Sequence, residues 1–195
     1  MFTGIIAHKT KIVAAHQAGG DLKLALAKPA SLKLKLGDSV AVNGVCLTVD
    51  NLKRNNTAEF LLMPETLNKT IFGKNFVKLI GQEVNVELPL KYRQRMGGHF
   101  VLGHVDGVGK IVKIIKKGQT KVLVINYPQQ FKKLLVNKGS VAIDGVSLTV
   151  ASLAPNSFSV SLVNYTLKRT AFNKKKAGDL VNLEFDILGK YILNK

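Results

Sequence analysis

Cys46 and Ser147 occupy the same place in two nearly identical ten-residue segments, VAVNGVCLTV (residues 40–49) and VAIDGVSLTV (residues 141–150). The segments share seven positions, and one of their three differences replaces a thiol with a hydroxyl. An ionised thiol is a strong nucleophile, whereas a hydroxyl both donates and accepts hydrogen bonds. The chain therefore repeats one structural unit but changes its most reactive atom.

The dipeptides Asn43-Gly44 and Asp144-Gly145 predict that each segment is a β-hairpin with a type I′ turn, whose two central residues need positive φ. Pairing across the first turn gives four opposed pairs: Val42 with Val45, Ala41 with Cys46, Val40 with Leu47, and Ser39 with Thr48. Because side chains alternate along a strand, one face is apolar and is the expected barrel core: Val40, Val42, Val45, Leu47 and Val49. The other face is small and polar in both copies: Ser39, Ala41, Cys46 and Thr48, then Ser140, Ala142, Ser147 and Thr149.

This small polar face has two interpretations. A solvated face would tolerate Lys and Glu, and this lysine-rich chain places none there. Small hydroxyl and thiol residues leave room for a ligand to lie against the strand and be hydrogen-bonded. We favour a ligand site, and a packed interface stays open as the alternative.

The repeat extends beyond the hairpin. Three further blocks recur in the same order and at offsets close to 100 residues: 4–13 with 103–112, 64–74 with 164–174, and 83–88 with 179–185. This is duplication of a whole domain, since solenoid repeats are much shorter. We predict an N-terminal domain over residues 1–95 and a C-terminal domain over residues 96–195.

Each half has short runs of Val, Ile, Leu and Thr separated by Gly, Asn, Asp and Pro, a pattern typical of β-strands. The sequence predicts an all-β fold of two similar six-stranded Greek-key β-barrels, because closure removes exposed sheet edges. Short helical segments are expected at residues 64–72, 129–136 and 166–172, and a short C-terminal helix at residues 187–195.

The net charge is +17, with 29 basic and 12 acidic residues. Only four of the basic residues are Arg, the lysines are scattered, and there is no Trp, so we expect a solvated surface and no nucleic-acid partner. Cys46 is the only cysteine, which excludes an intrachain disulfide and a cysteine-based metal site. The sequence has neither a signal-peptide pattern nor roughly 18 successive apolar residues, so we expect a cytoplasmic protein with no membrane partner.

The assembled motifs resemble the riboflavin synthase family over nearly the whole chain. They are MFTGII at the start, GVCLTV, PETL, MGGHFVLGHVDG, IDGVSLTV and a final TLKRT and KKKAGDLVNLEFD. The resemblance implies that two molecules of 6,7-dimethyl-8-ribityllumazine exchange a four-carbon unit, without a cofactor or metal. The products would be riboflavin and 5-amino-6-ribitylaminouracil. It also implies a homotrimer whose active sites, each holding two substrates, lie between the N-barrel of one subunit and the C-barrel of its neighbour.

The same resemblance implies two sets of substrate-binding residues. The first, on the N-barrel, is Gly4, Ile5, Ile6, Cys46, Leu47, Thr48, Leu61, Leu62, Met63, Pro64, Glu65 and Thr66. The second, on the C-barrel, is Gly103, His104, Val105, Lys138, Ser147, Leu148, Thr149, Leu162, Val163, Asn164, Tyr165 and Thr166.

Three of these residues are the implied catalytic groups. His104 would move protons near neutral pH, with Ser147 beside it to pass a proton or orient the ring. Cys46 would add to the ring or position water. The alternatives are a turn histidine at His104 and an ordinary buried thiol at Cys46.

Other polar residues are ambiguous in the same way. His99 is expected to be structural, and Asp144 to be a turn former. Glu184 and Asp186 are either surface acids at a strand end or supports behind the site.

Two departures from the family pattern are visible. Asn164-Tyr165 stands where the family generally has Pro-Glu, and only ILGKYILNK follows Asp186, where the family has a longer helix. The alternative function is a non-catalytic lumazine- or flavin-binding protein of the same family. Retention of His104, Ser147 and Thr149 alongside Cys46 favours the enzyme.

Overall fold

The computed structural model describes residues 1–74 and 76–193, apart from the side chain of Ala18. Its strands form two closed six-stranded barrels, which confirms the predicted all-β fold class. The first barrel contains β1 (His8–Ala18), β2 (Asp21–Ala27), β3 (Ser39–Val42), β4 (Val45–Lys53), β5 (Thr57–Leu62) and β6 (Glu83–Glu87). The second contains β7 (Gly107–Lys117), β8 (Thr120–Asn126), β9 (Ser140–Ile143), β10 (Val146–Ala154), β11 (Ser157–Leu162) and β12 (Leu180–Phe185).

The two barrels have the same topology. The order around the first is β1-β2-β5-β4-β3-β6, and the equivalent strands of the second follow the same cycle, β7-β8-β11-β10-β9-β12. Four long strands each carry one register shift, between Ile12 and Ala14, Val49 and Asn51, Ile111 and Lys113, and Val150 and Ser152. Because a bulge bends and twists its strand, these equivalent bulges help six short strands to close.

The hairpin of each copy forms in the predicted register. Strands β3 and β4 pair Ser39 with Thr48 and Ala41 with Cys46, and β9 and β10 pair Ser140 with Thr149 and Ala142 with Ser147. The apolar face lies in the core of the first barrel as predicted, with Val40, Val42, Val45, Leu47 and Val49 all buried. The left-handed backbone at the turns is confirmed by φ values of 44° at both Asn43 and Asp144.

The helices are short. They are α1 (Pro64–Lys69), α2 (Asn164–Arg169) and α3 (Ile187–Leu193), with 3-10 turns at Ile71–Gly73, Phe76–Leu79, Gln129–Leu134 and Ala171–Lys174. The short helix expected from residue 129 is present as the 3-10 helix Gln129–Leu134, and one expectation needs correction, because α2 begins at Asn164 instead of residue 166. The last two residues of the predicted C-terminal helix, 194 and 195, lie outside the described residues. Within residues 1–74 and 76–193, no helix is both long enough and apolar enough to span a bilayer.

The barrels meet at the tips of the two repeated hairpins. The Asn85 side-chain Nδ2 donates to the Asp144 carbonyl, and Asn182 Nδ2 donates to the Asn43 carbonyl, both at 2.9 Å. Inside each barrel, Asn43 Oδ1 accepts from Asn85 N, and Asp144 Oδ1 accepts from Asn182 N, both at 2.8 Å. All four residues are buried, so this network satisfies polar groups that would otherwise be costly to bury.

The same two asparagines also tie each barrel to the helical segment of the other. Asn85 Oδ1 accepts from Ala171 N at 2.7 Å, and Asn182 Oδ1 accepts from Ile71 N at 2.8 Å. Every bond thus has a counterpart related by the duplication, and the interface has an approximate two-fold axis.

One difference breaks this symmetry. Asp144 is a carboxylate where the first copy has Asn43, and Lys175 Nζ lies 2.8 Å from its second oxygen.

The segments that precede β1 and β7 cross between the barrels. We call residues 1–7 the first arm and residues 98–106 the second arm. Phe2 N donates to Val101 O at 2.7 Å, and Val101 N donates to Phe2 O at 3.2 Å, so the arms pair with each other. Their two apolar side chains pack against Ala41 and Ala142 in a small buried cluster. The predicted domain boundary, between residues 95 and 96, falls between β6 and β7 and stays a prediction.

Glycine at the hairpin tips is needed for close approach as well as for the turn. A Cβ added at Gly44 would lie 2.6 Å from Gly145 N, and one at Gly145 would lie 2.7 Å from Gly44 N. Gly37 also has positive φ, 82°, but an added Cβ there would meet no atom within 4 Å. Gly37 therefore isolates the cost of backbone strain from the cost of the contact.

We predict that Gly44→Ala lowers the free energy of unfolding by about 2–5 kcal/mol, because left-handed strain adds to a main-chain clash between the barrels. Gly37→Ala should cost only about 1–2 kcal/mol, the strain alone. Urea unfolding of both variants measures the difference. Equal losses in the two variants would contradict the role given to the tip contact.

Candidate functional site

Each arm bonds to the reactive strand of the opposite barrel. Ser147 N, on β10, donates to the Gly4 carbonyl of the first arm at 2.8 Å. Cys46 N, on β4, donates to the Gly103 carbonyl of the second arm, also at 2.8 Å. An added Cβ on either glycine would lie 2.6 Å from the Cβ of the opposing Cys or Ser, so only glycine allows this approach.

This crossing changes how the predicted residues are grouped. The expectation joined Gly4, Ile5 and Ile6 to Cys46, and joined Gly103, His104 and Val105 to Ser147. Within this chain the grouping is the reverse, since Ile6 packs against the second core and Val105 belongs to the first. The reason is the pairing of the two arms, which is a long-range contact that strand periodicity does not encode.

The first candidate site is a pocket of about 250 Å³ beside Cys46. Its lining comes from β4, from α1 and its end, and from the second arm: Val45, Cys46, Glu65, Thr66, Lys69, Thr70, Gly103, His104 and Val105. His104 is exposed and Cys46 is half-buried. Burial raises the pKa of the Cys46 thiol. The charged N-terminus and a hydrogen bond with Ser39 offset part of this effect, and the nearby Glu184 carboxylate adds to it. The thiol thus sits at a site with an exposed histidine on its rim.

The second candidate site centres on Ser147. His99 Nδ1 lies 2.7 Å from Ser147 Oγ, and His99 N donates to the Thr3 carbonyl at 3.2 Å. The histidine beside Ser147 is therefore His99, and the expectation that His104 lies there was wrong. His99 lies outside the repeated blocks. Comparison of the two copies consequently could not single it out.

Burial lowers the pKa of the His99 imidazole, and the Asp186 carboxylate offsets part of this effect. The ring is therefore neutral at pH values where an ordinary histidine is partly charged. A neutral ring can accept the Ser147 proton at Nδ1, which is the state a general base requires.

Lys138 lies in the loop before β9, with its amide donating to Val150 O at 2.9 Å. Its φ is 66°, and the equivalent residue of the first copy is Gly37, at 82°. A lysine thus occupies a left-handed position where the other copy has glycine. Such strain in a non-glycine residue is often found at functional sites.

The helices that follow β5 and β11 carry the departure seen in the sequence. In α1, Lys69 Nζ lies 3.0 Å from the Glu65 carboxylate. In α2, the Arg169 guanidinium lies 5.5 Å from the centre of the Tyr165 ring. Both are pairs four residues apart on one helix face, so a cation–π contact replaces an ion pair. Pro64 and Asn164 are the first residues of these helices.

The remaining predicted residues divide by the direction of their side chains. Five point into or against a barrel core: Leu47, Leu62, Val105 and Leu162, which are buried, and Leu148, which is half-buried. Six others are exposed: Ile5, Thr48, Leu61, Met63, Thr149 and Val163. Thr66 and Thr166 are half-buried.

The small polar face of each hairpin is buried at one end and accessible at the other. At the turn end, Ala41 and Ala142 are buried between the barrels. Farther from the turn, Cys46 and Ser147 are half-buried and Thr48 and Thr149 are exposed. The ligand interpretation therefore fits the outer half of the face, and the interface interpretation fits the inner half.

A larger cavity, of about 740 Å³, lies between the barrels near the start of β6 and β12. Its lining includes five lysines but no Cys, Ser, Thr or His. It holds none of the thiol, hydroxyl or imidazole groups that the two repeated strands and their arms bring together, and we assign the candidate sites to Cys46 and Ser147. Among the described residues, no group of three or more His, Cys, Asp or Glu side chains is arranged to hold a metal ion.

Comparison with known proteins supports this duplicated architecture. A family model described as "Lumazine binding domain" matches residues 3–89 and again residues 102–186. The riboflavin synthase of Actinobacillus pleuropneumoniae is 40% identical over 194 residues, covering 98% of this chain and 88% of that protein. The riboflavin synthase of Bacillus subtilis (strain 168) is 39% identical with the same coverage.

The alignment with a less similar relative spans nearly the full length of both proteins. The riboflavin synthase of Mycobacterium tuberculosis (strain ATCC 25618 / H37Rv) is 35% identical over 196 residues, covering 98% of this chain and 96% of that protein.

Solved structures also match the fold. LumP complexed with riboflavin superposes with a TM-score of 0.87, at 20% identity, over 95% of this chain and 99% of that one. LumP complexed with 6,7-dimethyl-8-(1'-D-ribityl) lumazine gives 0.84, at 20% identity, over 94% and 98%. At this identity the likeness establishes the fold alone.

We predict that His99 titrates below the ordinary histidine value of about 6.5. The unfolded chain then binds a proton before the folded chain does, so this residue lowers the stability as the pH falls through about 6.5. The loss ends once the pH is below the folded pKa. NMR titration of the imidazole resonances, assigned with His99→Gln, tests this. A His99 midpoint at or above about 6.5 would contradict the effect of burial.

Proposed function

The chain belongs to the riboflavin synthase family, and we propose that it converts two molecules of 6,7-dimethyl-8-ribityllumazine into riboflavin and 5-amino-6-ribitylaminouracil. It is an enzyme of the riboflavin synthase type, a transferase that moves a four-carbon unit between two identical substrates. Two lumazine binding domains in one chain support this assignment, as does the 39–40% identity to riboflavin synthases across 98% of the chain.

One observation carries the proposal beyond family membership. The two barrels present the same strand and the same glycine arm to a ligand, but different reactive groups. Cys46 with His104 belongs to one site, and Ser147 with His99 to the other. Such a pair of sites suits two copies of one molecule that must react differently.

In the proposed reaction, one lumazine loses a methyl proton to give a carbanion spread over its ring. The second lumazine accepts a nucleophile at the matching carbon and later gives up four carbons. Ser147 and His99 form a hydrogen-bonded pair suited to proton transfer. Cys46 adds to a ring or positions the water that does so, with His104 at the rim of its pocket. Thr48 and Thr149 bind the ring edges.

Positioning supplies much of the rate. Two rings held face to face in reactive register convert a bimolecular step into a local one. We propose that the full site brings the first candidate site of one subunit to the second candidate site of its neighbour in a homotrimer. The exposed apolar side chains of α3, namely Leu188, Tyr191, Ile192 and Leu193, are suited to a subunit contact. The single thiol is compatible with a reducing compartment, and we place the enzyme in the cytoplasm.

A non-catalytic lumazine-binding protein is the second candidate. The replacement of Pro-Glu by Asn164-Tyr165 in the second copy favours it, because a ligand contact of that barrel is altered. Both candidates bind lumazine, so binding cannot distinguish them and turnover can.

We predict that the purified protein forms riboflavin from 6,7-dimethyl-8-ribityllumazine with no added cofactor, followed by absorbance or chromatography. Ser147→Ala and His104→Ala should each lower kcat by about 100-fold or more, a typical effect of removing an acid–base group. The unfolding midpoints of both variants should change little, because the Ser147 side chain is only half-buried and the His104 side chain is exposed.

Two variants provide matched controls. Ser157→Ala removes a hydroxyl from β11, and His16→Ala removes an exposed imidazole from β1, and neither belongs to a candidate site. Both should retain wild-type turnover. Tight lumazine binding without turnover in the wild type would refute the enzyme and support the second candidate. Wild-type rates in Ser147→Ala and His104→Ala would refute the roles given to those residues.

A further inference from the structure

Two buried glutamates stand at equivalent places, near the ends of β6 and β12. Glu87 is 6% exposed and Glu184 is 4% exposed. The ion pairs of the described chain involve neither carboxylate. Burial of a carboxylate without a cation is costly, so its hydrogen bonds must compensate.

Nearly all of that compensation comes from the two arms. Glu87 Oε1 accepts from Thr3 N and from Thr3 Oγ1, both at 2.7 Å, and its Oε2 accepts from Gly4 N at 3.0 Å. Glu184 Oε1 accepts from Leu102 N at 2.6 Å, and its Oε2 accepts from Gly103 N at 2.9 Å. Each carboxylate therefore accepts hydrogen bonds from two successive main-chain amides, that of the arm glycine and that of the residue before it.

This bridge fixes the orientation of the glycine. The carboxylate holds the N–H of Gly4 or Gly103, and the carbonyl of the same glycine accepts from Ser147 N or Cys46 N. Charge-assisted hydrogen bonds are stronger and more directional than neutral ones, so two on adjacent amides define the position of the arm. Burial raises the pKa of both carboxyl groups, and the hydrogen bonds from the arms offset part of this increase.

The connection is crosswise. Glu87 belongs to the first barrel but holds the arm that contacts Ser147 of the second. Glu184 belongs to the second barrel but holds the arm that contacts Cys46 of the first and carries His104. The arm held by Glu87 also positions His99, whose amide donates to the Thr3 carbonyl.

We propose that Glu87 and Glu184 are positioning residues of the two lumazine sites, each acting on the site of the opposite barrel through a carboxylate bridge to the crossing arm. The inference deepens the proposed function, on which it rests. It also decides between the two interpretations of Glu184, since a surface acid would not be buried against an arm.

The test uses two variants and two probes in the full-length protein. Glu→Gln keeps the shape but replaces one acceptor oxygen with an NH2 group that faces an N–H donor. Glu184→Gln should raise the alkylation rate of Cys46, the only cysteine, by iodoacetamide by about tenfold, as expected when a charge-assisted bond is lost. Glu87→Gln should change it by less than about twofold, because its arm does not contact Cys46.

The second probe is the NMR signal of the His99 imidazole, and the variant expected to have the larger effect on it is Glu87→Gln. The imidazole resonance and titration midpoint of His99 should change more in Glu87→Gln than in Glu184→Gln. His99 belongs to the second arm, but its amide bonds to Thr3 of the first arm and its ring to Ser147, which the first arm contacts. Neither probe needs a substrate, so both remain informative if the wild type does not convert lumazine. In turnover assays, both variants should lose kcat by about tenfold or more if the proposed function holds.

The test has two controls. The first separates positioning from general destabilisation, and the second separates it from a change in the pKa of the Cys46 thiol. Asn182→Ala lies on β12, two residues from Glu184, and removes interface bonds to Asn43 and Ile71 without touching an arm. It should lower the stability but leave both probes unchanged. Alkylation of Cys46 is followed against pH and compared at full ionisation, because loss of the Glu184 charge also lowers the thiol pKa.

If Glu87→Gln does not fold, Thr3→Val replaces it. This variant keeps the main-chain bonds from the arm to Glu87 and removes two hydroxyl bonds, the one to Glu87 and the one from Ile5 N, and the second copy already has Leu102 there. Thr3→Val should shift the His99 resonance and spare Cys46. The proposal is overturned if each Glu variant affects both probes equally, if Asn182→Ala reproduces their effects, or if neither probe responds.

Discussion

The buried contact between the two hairpin tips constrains everything else in this molecule. Gly44 and Gly145 approach so closely that neither tolerates a Cβ, and the network of Asn85 and Asn182 then closes around them. Amides suit this position because each supplies a donor and an acceptor to the opposite barrel. An apolar residue at either place would leave buried main-chain groups without partners, at a cost of roughly 1–3 kcal/mol each. The two barrels are therefore fixed about an approximate two-fold axis.

That constraint places the reactive atoms. The hairpins that meet at the axis are also the strands that carry Cys46 and Ser147, so each site begins a few residues from the interface. The inner part of the small polar face, at Ala41 and Ala142, is buried in the contact between the barrels, so only the outer part is accessible to a ligand. The arms then cross because Phe2 and Val101 pair at the same axis, and each brings its glycine to the opposite strand. The interface and the sites are thus one structure.

Local patterns in the sequence contained much of this. The Asn-Gly and Asp-Gly turns fixed the register of both hairpins, and alternation then identified the core face correctly, since these are contacts between near neighbours. The arms were grouped with the wrong strands, because their contacts join residues about 57 and 143 positions apart, Gly103 with Cys46 and Gly4 with Ser147. His99 was missed because it lies outside the repeated blocks, and Glu87 was missed because a carboxylate at a strand end usually faces solvent.

The same constraint explains why the differences between the copies matter. With the main chains of the two barrels held in equivalent positions, any chemical asymmetry between the sites must come from side chains. The differences at the two sites include Cys46 against Ser147, Ile5 against His104 and Thr3 against Leu102. A dismutation needs two identical molecules to be bound alike and treated differently. In the proposed function, equivalent backbones would supply the first requirement, and side-chain differences such as Cys46 against Ser147 would supply the second. Two identical sites would bind the same ligand in the same way, without the chemical asymmetry that a reaction between the two molecules requires.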